Sequence, residues 1–503
     1  MIRKSFSFTI CGFLLAAAVF FRPAPAAAET RPYLHFCGAN GTIFGSTTLL
    51  NTGKSNVLLD CGLFQEEGYP EREVARRNRF LPFSAREIDY VLVSHAHGDH
   101  IGRIPLLVRH GFTGKIYCTK TTAELSAIML RLMQWIMSQD NSTFYSDGQV
   151  ERAIANIVPC EYHRTYTLPD GLKFRFLESG HILGSAMTYL EFPAGDREYS
   201  LLYTGDIGNP NNPLLRPQET VEEVDILISE STYGNRLHND PQEDLRAFRE
   251  IINETVTKGG KVIIPSYVLD RTQNILYTLN KLIREGAFDR SFNVYVDSEY
   301  ANRLTGVYRK NSRLFNDDIQ AEIRAGKRPL SFPALKQFPP RGKINGPAVI
   351  LAPSGMATVG AVREHLTNHL SDPASTVIFV GFQADGSLGK EILDRKSLVR
   401  IDKKMVPVRA SSHYLSSFSG HADYRQIGAW LNQAKRVGHI FIIHGQPDAS
   451  EGLAEYIQAE TPFKATVPKF LQKIYLDTIL PEEKATEAGR ELPRETARAA
   501  AIR

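Results

Sequence analysis

Four side chains of the strongest metal-ligating types fall within six residues in Ser94-His95-Ala96-His97-Gly98-Asp99-His100. The run follows a strand-like segment, Ile88-Asp89-Tyr90-Val91-Leu92-Val93, and precedes a helix-like one from Ile101 to Val108. A chain carrying it must end a strand in a loop that turns several ligands into one pocket. In that setting His95 and His97 are expected to face one metal ion, and Asp99 and His100 a second. Neutral imidazole and carboxylate suit Zn²⁺. Packing alone gives no reason for this alternation, and the strand–loop–helix context is what a metal motif requires.

The 503 residues suggest two to four domains. Short apolar runs broken by Gly and Asn between Tyr33 and Cys61 read as antiparallel strands. A second strand-rich stretch spans Leu172 to Thr204. Two such halves flanked by helices predict an α/β fold with a four-layer αββα sandwich. Beyond Tyr233 the rhythm changes. Helical stretches over 240–257 and 271–285 alternate with apolar strands at Lys261–Pro265, Asn293–Val296, Ala348–Ala352 and Thr376–Val380. That alternation predicts an inserted parallel α/β domain. The expected division is 1–28, 29–234, 235–410 (the insert), 411–480 (the return to the sandwich) and a charged tail, 481–503.

Lys and Arg number 59 against 55 Asp and Glu. Arg3, Lys4 and Arg22 lie in the first 28 residues, which hold no acid, so the remainder is close to neutral. Bulk charge gives no support for nucleic-acid binding. The same 28 residues read as an export signal: a basic start, an apolar run from Phe8 to Phe21, and Ala26-Ala27-Ala28 as a cleavage site. The expectation is an exported protein, periplasmic or secreted. An uncleaved N-terminal membrane anchor is the alternative, and no later segment is apolar enough to span a membrane. Cys37, Cys61, Cys118 and Cys160 contain no C-x-x-C pair. Disulfides are open, and four small buried hydrophobes are the favoured reading.

Other polar residues close strand-like runs. Asp60 follows Val57-Leu58-Leu59, Asp206 follows Tyr203-Thr204-Gly205, Glu230 follows Ile226-Leu227-Ile228-Ser229, and His444 follows Ile440-Phe441-Ile442-Ile443. His181 and His421 sit in Ser179-Gly180-His181-Ile182-Leu183-Gly184 and Ser419-Gly420-His421-Ala422-Asp423. Each alone is a weak signal. Together they resemble the metallo-β-lactamase superfamily, and within it the β-CASP nucleases, a group that includes bacterial ribonucleases and the pre-mRNA 3′-end cleavage nuclease. The resemblance covers roughly residues 33 to 470.

The resemblance implies that His95, His97 and His181 hold one Zn²⁺, that Asp99, His100 and His444 hold a second, and that Asp206 bridges them. Mn²⁺ is the other ion such a site accepts. Asp60 would orient a ligand or the activated water. Asp60 and Asp99 are counted with His421 and Glu230 as catalytic. A metal-bridging hydroxide would attack phosphorus in line, with His421 as general acid, kept cationic by Glu230. RNA is the implied substrate, another phosphodiester the alternative, and Arg271, Ser354 and Ser387 are candidate substrate contacts.

Two departures from the family pattern stand out. Val359-Gly360-Ala361 replaces a common Gly-Gly-Arg, and Asp270 replaces a Gly before Arg271-Thr272-Gln273. An added acid near a phosphate path would weaken polyanion binding. Arg271 reads equally well as a phosphate contact or as a surface residue at a helix start. Other functional readings are an exported dinuclear-zinc hydrolase acting on DNA or another ester, and a non-catalytic binding subunit; such subunits usually lose metal ligands, and none is lost here. Internal against terminal cleavage, base preference and homodimer formation stay open.

Overall fold

The structure is a computed structural model and describes residues 31–65, 70–139, 143–339, 344–384 and 386–480. The segments expected to be an export signal (1–28) and a charged tail (481–503) lie outside these residues.

Two seven-stranded sheets face each other. The first orders Lys473–Tyr475, Tyr33–Gly38, Thr47–Asn51, Asn56–Leu59, Tyr90–Leu92, Lys115–Thr119 and Ile157–Cys160. Its early strands pair antiparallel, and from Asn56–Leu59 onward the pairing is parallel. The second runs from Ala465–Thr466 through Arg436–Ile442, Glu223–Ser229, Arg197–Tyr203, Ala186–Ala194 and Lys173–Glu178 to Tyr166–Thr167.

Period-2 alternation divides the core. Val57 and Leu59 join Leu201, Tyr203, Ile226 and Ile228 between the sheets. Leu58 faces outward onto one helical layer, while Leu202 and Leu227 face the other. Both faces of these strands are covered, so they read as unbroken apolar runs. Each such side chain contributes about 1.5–3 kcal/mol of burial free energy. The result is the αββα sandwich.

A third sheet is parallel throughout, in the order Leu335–Gln337, Asn293–Val296, Ala348–Ala352, Lys261–Pro265, Thr376–Phe379 and Ser411–Tyr414. Val262 and Ile264 face one side and Ile263 the other, again burying both faces. The strand Ser411–Tyr414 is therefore this sheet's edge by hydrogen bonding. Asp240 opens the helix Pro241–Thr257 by accepting from the amides of Gln242 and Glu243, with Pro241 at the first helical position.

The helix expected from Ile101 begins earlier and is split. Gly98–Ile101 and Ile104–Arg109 are separate helices, with Pro105 in the first turn of the second. Asp99 and His100 thus sit on a helical turn, not in an extended loop. Cys37, Cys61, Cys118 and Cys160 are free and buried, and burial pushes the thiols of Cys61 and Cys160 up to about 11.

Candidate active site and metal centre

Strand ends supply the site. Asp60 and His444 terminate Asn56–Leu59 and Arg436–Ile442 with φ of 58° and 55°. The left-handed backbone bends each out of its sheet, a strained conformation that clusters at functional positions. The metal loop is backed by Cys61-Gly62-Leu63: the amides of Cys61 and Leu63 donate to the carbonyls of His100 and Gly98 at 2.8 and 2.9 Å. A Cβ at Gly62 would lie 1.4 Å from the Asp99 carbonyl oxygen, so only glycine fits there.

The ligand-type atoms gather in two groups. His95 Nε2 and His181 Nε2 lie 3.1 and 3.2 Å from His97 Nδ1, and each is 3.4 Å from Asp206 Oδ2. His100 Nε2 lies 3.1 Å from His444 Nε2 and 3.2 Å from Asp206 Oδ1, and Asp99 Oδ2 is 3.5 Å from His444 Nε2. Asp206 therefore stands between the groups, one oxygen toward each.

These residues fit divalent metal ions. Ligands of a tetrahedral Zn²⁺ at about 2.0–2.2 Å are spaced roughly 3.3–3.6 Å apart, close to the separations here. Asp206 Oδ1 is buried and has no hydrogen-bond partner, which a cation would remedy. Burial pushes the His95 and His181 imidazoles well below their usual value, and His97 down to about 4, so all three are neutral donors. Burial alone would lower His100 too, but Asp206 and Asp60 outweigh it and raise it. The same negative field that attracts a proton there attracts a metal ion.

The ring nitrogens facing away are held. His100 Nδ1 is 2.7 Å from Asp60 Oδ2, His181 Nδ1 is 3.1 Å from the Gly420 carbonyl, His95 Nδ1 is 3.0 Å from Ser94 Oγ, and His444 Nδ1 is 3.1 Å from Thr232 Oγ1. Such partners fix the tautomer that leaves the inward nitrogen free. Asp60 is itself held by the Ser94 amide and hydroxyl and by the Tyr203 hydroxyl, at 2.6–2.7 Å.

Beside this pocket, His421 Nδ1 donates to Glu230 Oε1 at 3.0 Å and lies 3.9 Å from Asp206 Oδ2. Glu230 is buried and also accepts from the amides of Ile207 and Thr232. Burial would lower His421, but Glu230, Asp206 and Asp99 outweigh it, so its proton is held more tightly than usual. The ring keeps a fifth of its surface open.

Several supporting groups carry no motif of their own. Thr232 lies inside Glu230-Ser231-Thr232, so proximity to Glu230 was its only signal. Tyr203 and Asn209 had none; Asn209 donates to the carbonyls of Ser417 and Ser419, and its amide to Gly420, fixing the loop that carries His421. His238 Nε2 donates to the His421 carbonyl at 2.9 Å.

The candidate substrate contacts are placed differently from one another. Arg271 is 8% exposed, which corrects the surface reading. Its Nη1 donates to the Val380 carbonyl, and its Nη2 lies 3.7 Å from where a Cβ on Gly420 would stand. Asp270 points inward: its oxygens accept from Tyr308 and Asn274, and burial pushes its carboxyl up to about 6. It does not project into the metal pocket as an added surface charge. Ser354 Oγ accepts from the Thr358 and Val359 amides, whereas Ser387 Oγ accepts from the Lys390 amide and caps the helix Leu388–Leu393.

The sandwich, its insert and the paired ligand groups define a metal-dependent hydrolase. Three family models match in succession: the metallo-beta-lactamase superfamily over residues 40–266, the Beta-Casp domain over 272–392, and the Zn-dependent metallo-hydrolase RNA specificity domain over 405–468. A ribonuclease of Thermus thermophilus is 36% identical over 82% of this chain and 92% of its own length. An RNase J-like protein of Methanocaldococcus jannaschii is 32% identical over 86% and 97%, and the transcription termination factor FttA of Lokiarchaeum is 32% identical over 86% and 69%. A solved Enterococcus faecalis protein of unknown function shares the fold at a TM-score of 0.53 and 14% identity, over 88% of this chain and all of that one. The chain belongs to the β-CASP nuclease family of the metallo-β-lactamase superfamily.

The relatives overturn the expectation of an exported or membrane-anchored protein. They are named as a ribonuclease, an RNase J-like protein and transcription termination factors. The residues that carried the export reading, 1–28, lie outside the described ones. Among the described residues no helix is long and apolar enough to cross a membrane.

Proposed function

We propose that this chain is a two-zinc nuclease that cleaves RNA, with His95, His97 and His181 on one ion, Asp99, His100 and His444 on the other, and Asp206 shared. The observation that carries the reading is Asp206 standing between two ligand groups, with the His421–Glu230 pair alongside. Two divalent ions supply Lewis acidity at the phosphoryl oxygens and make water nucleophilic at neutral pH. The chain's own part is orientation and proton transfer. Asp60 holds His100 in the ligating tautomer, and Glu230 holds His421 protonated beside the leaving oxygen. His421 Nε2 then gives that oxygen its proton as the bond to phosphorus breaks.

The RNA substrate is drawn from the relatives' names and from the insert over the cleft, since the charge balance is indifferent. The test sets labelled single-stranded RNA, single-stranded DNA and bis-p-nitrophenyl phosphate side by side. RNA is expected to be cleaved fastest. Preference for DNA, or for an ester lacking phosphorus, would refute the substrate assignment.

Elemental analysis of zinc-supplemented protein is expected to find two equivalents, and a strong chelator to abolish turnover until zinc is restored. Full activity in the chelated protein would refute the metal assignment. Asp60→Asn is expected to lower metal affinity or activity by about 10–100-fold, because an amide holds His100 without the charge. Wild-type metal content and rate in that variant would remove Asp60 from the machinery.

A further inference from the structure

The helix Lys120–Gln139 ends in an exposed pair, Trp135 and Ile136, at 52% and 42% of full exposure. An exposed apolar side chain standing alone is ordinary, so its neighbours decide what it can do. Its place in the fold is informative. Two residues earlier in the same helix, Met133 Sδ lies 2.8 Å from where a Cβ on Gly98 would stand. Gly98 separates His97 from Asp99, so this end of the helix abuts the metal loop.

Trp135 also reaches the insert. Its ring lies 6.2 Å from that of Tyr300, tilted by 38°. Arg303 holds its guanidinium over the Tyr300 ring at 5.5 Å, and among the described residues no carboxylate pairs with it. Tyr300 opens the helix Glu299–Lys310, just past the carboxyl end of the strand Asn293–Val296. Arg271, beside Gly420, follows the carboxyl end of Lys261–Pro265, a strand of the same parallel sheet separated from Asn293–Val296 by Ala348–Ala352. That edge of the parallel sheet is where open α/β folds bind ligands. The contact is braced by Lys310 and Glu124, paired at 2.9 Å between the two helices.

Two aromatic rings and an unpaired guanidinium, beside a phosphodiester-cleaving centre, match what an unpaired nucleotide offers: a π-face and a phosphate. Resting on the RNA reading above, we propose that Trp135, Tyr300 and Arg303 form a stacking platform for an unpaired base of the RNA strand at the rim of the metal cleft. Stacking is tolerant of base identity, so the platform gives grip without sequence preference.

The chain's two tryptophans make this testable, since Trp430 is 5% exposed and donates to the Glu219 carbonyl. Zinc-loaded full-length protein is titrated with a phosphorothioate RNA single strand while tryptophan emission is followed. Emission is expected to be quenched on binding, equally in Trp430→Phe. In Trp135→Ala, kcat/KM on RNA relative to kcat/KM on bis-p-nitrophenyl phosphate is expected to fall about tenfold, mostly through KM, with Trp135→Phe restoring most of it. Binding without quenching, or an unchanged ratio, would overturn the platform alone. So would RNA kinetics like wild type combined with lost self-association, which assigns the patch to a second copy of the chain. Wild-type protein that hydrolyses the small diester but neither binds nor cleaves RNA would instead overturn the RNA reading, and the platform with it.

Discussion

Asp206→Ala is expected to lower phosphodiester hydrolysis by on the order of 10⁴-fold or more, equivalent to about 5.5 kcal/mol of transition-state stabilisation. The size follows from its place. One oxygen lies 3.4 Å from both His95 and His181, and the other 3.2 Å from His100. Among the described residues no other carboxylate lies this close to both groups; Asp99 approaches His444 at 3.5 Å and His100 at 3.9 Å. Removing it leaves three neutral imidazoles in one group and His100 and His444 with Asp99 in the other, so the shared anion that offsets the repulsion between two cations is lost. Elemental analysis of the variant is expected to find fewer than two equivalents at any zinc excess that wild type does not need. Asp206→Asn separates charge from shape, because it keeps the volume and loses the anion. Thermal unfolding of the chelated proteins checks the fold independently. A Asp206→Ala chain that keeps two equivalents and a wild-type rate would show that the two groups do not share a ligand.

How much of this was readable in the sequence depends on distance along the chain. His95, His97, Asp99 and His100 are readable because their spacing is local and packing does not explain it. Asp60, Asp206, Glu230 and His444 are readable as polar ends of apolar strands, a pattern that an αββα sandwich converts into one cleft. The strands themselves were plain, because burial on both faces makes them uniformly apolar. Tyr203 is a different case: it reads as a core aromatic, and it is one, yet its hydroxyl donates to Asp60 across 143 positions. Only tertiary packing creates that contact. Asn209 likewise holds the His421 loop from more than two hundred positions away.

Local context misleads at two places. Arg271 at a helix start suggested solvent exposure, but the third sheet and the loop of Gly420 close over it. Asp270 suggested an acid in the substrate path, but it occupies φ 68° and ψ −60° and turns its carboxylate to Tyr308. Ser387, a candidate substrate contact, is placed by the structure at the start of the helix Leu388–Leu393, which its hydroxyl caps. A basic, then apolar, then small-residue start gives an expectation of export that the relatives overturn.

His421→Ala is expected to slow RNA cleavage by about 10²–10⁴-fold while both metal equivalents stay bound. That pairing of outcomes distinguishes a proton donor from a ligand. His421 stands 3.9 Å from Asp206 Oδ2, outside the tight ligand spacings, and its Nδ1 is engaged by Glu230. The pH dependence has a definite sign. Glu230, with Asp206 and Asp99, raises the His421 imidazolium above its ordinary value despite burial. A general acid works only while protonated, so kcat is expected to fall on the alkaline side as pH passes through this raised value. Glu230→Gln removes the nearest anion, lowers the imidazolium's pKa, and moves that alkaline limb to lower pH. The acid limb belongs to other groups and is expected to stay in place. Substrates with a good leaving group need no proton, so bis-p-nitrophenyl phosphate is expected to lose far less than RNA in His421→Ala. Equal losses on both substrates, or an alkaline limb that ignores Glu230→Gln, would assign His421 to holding the cleft's shape.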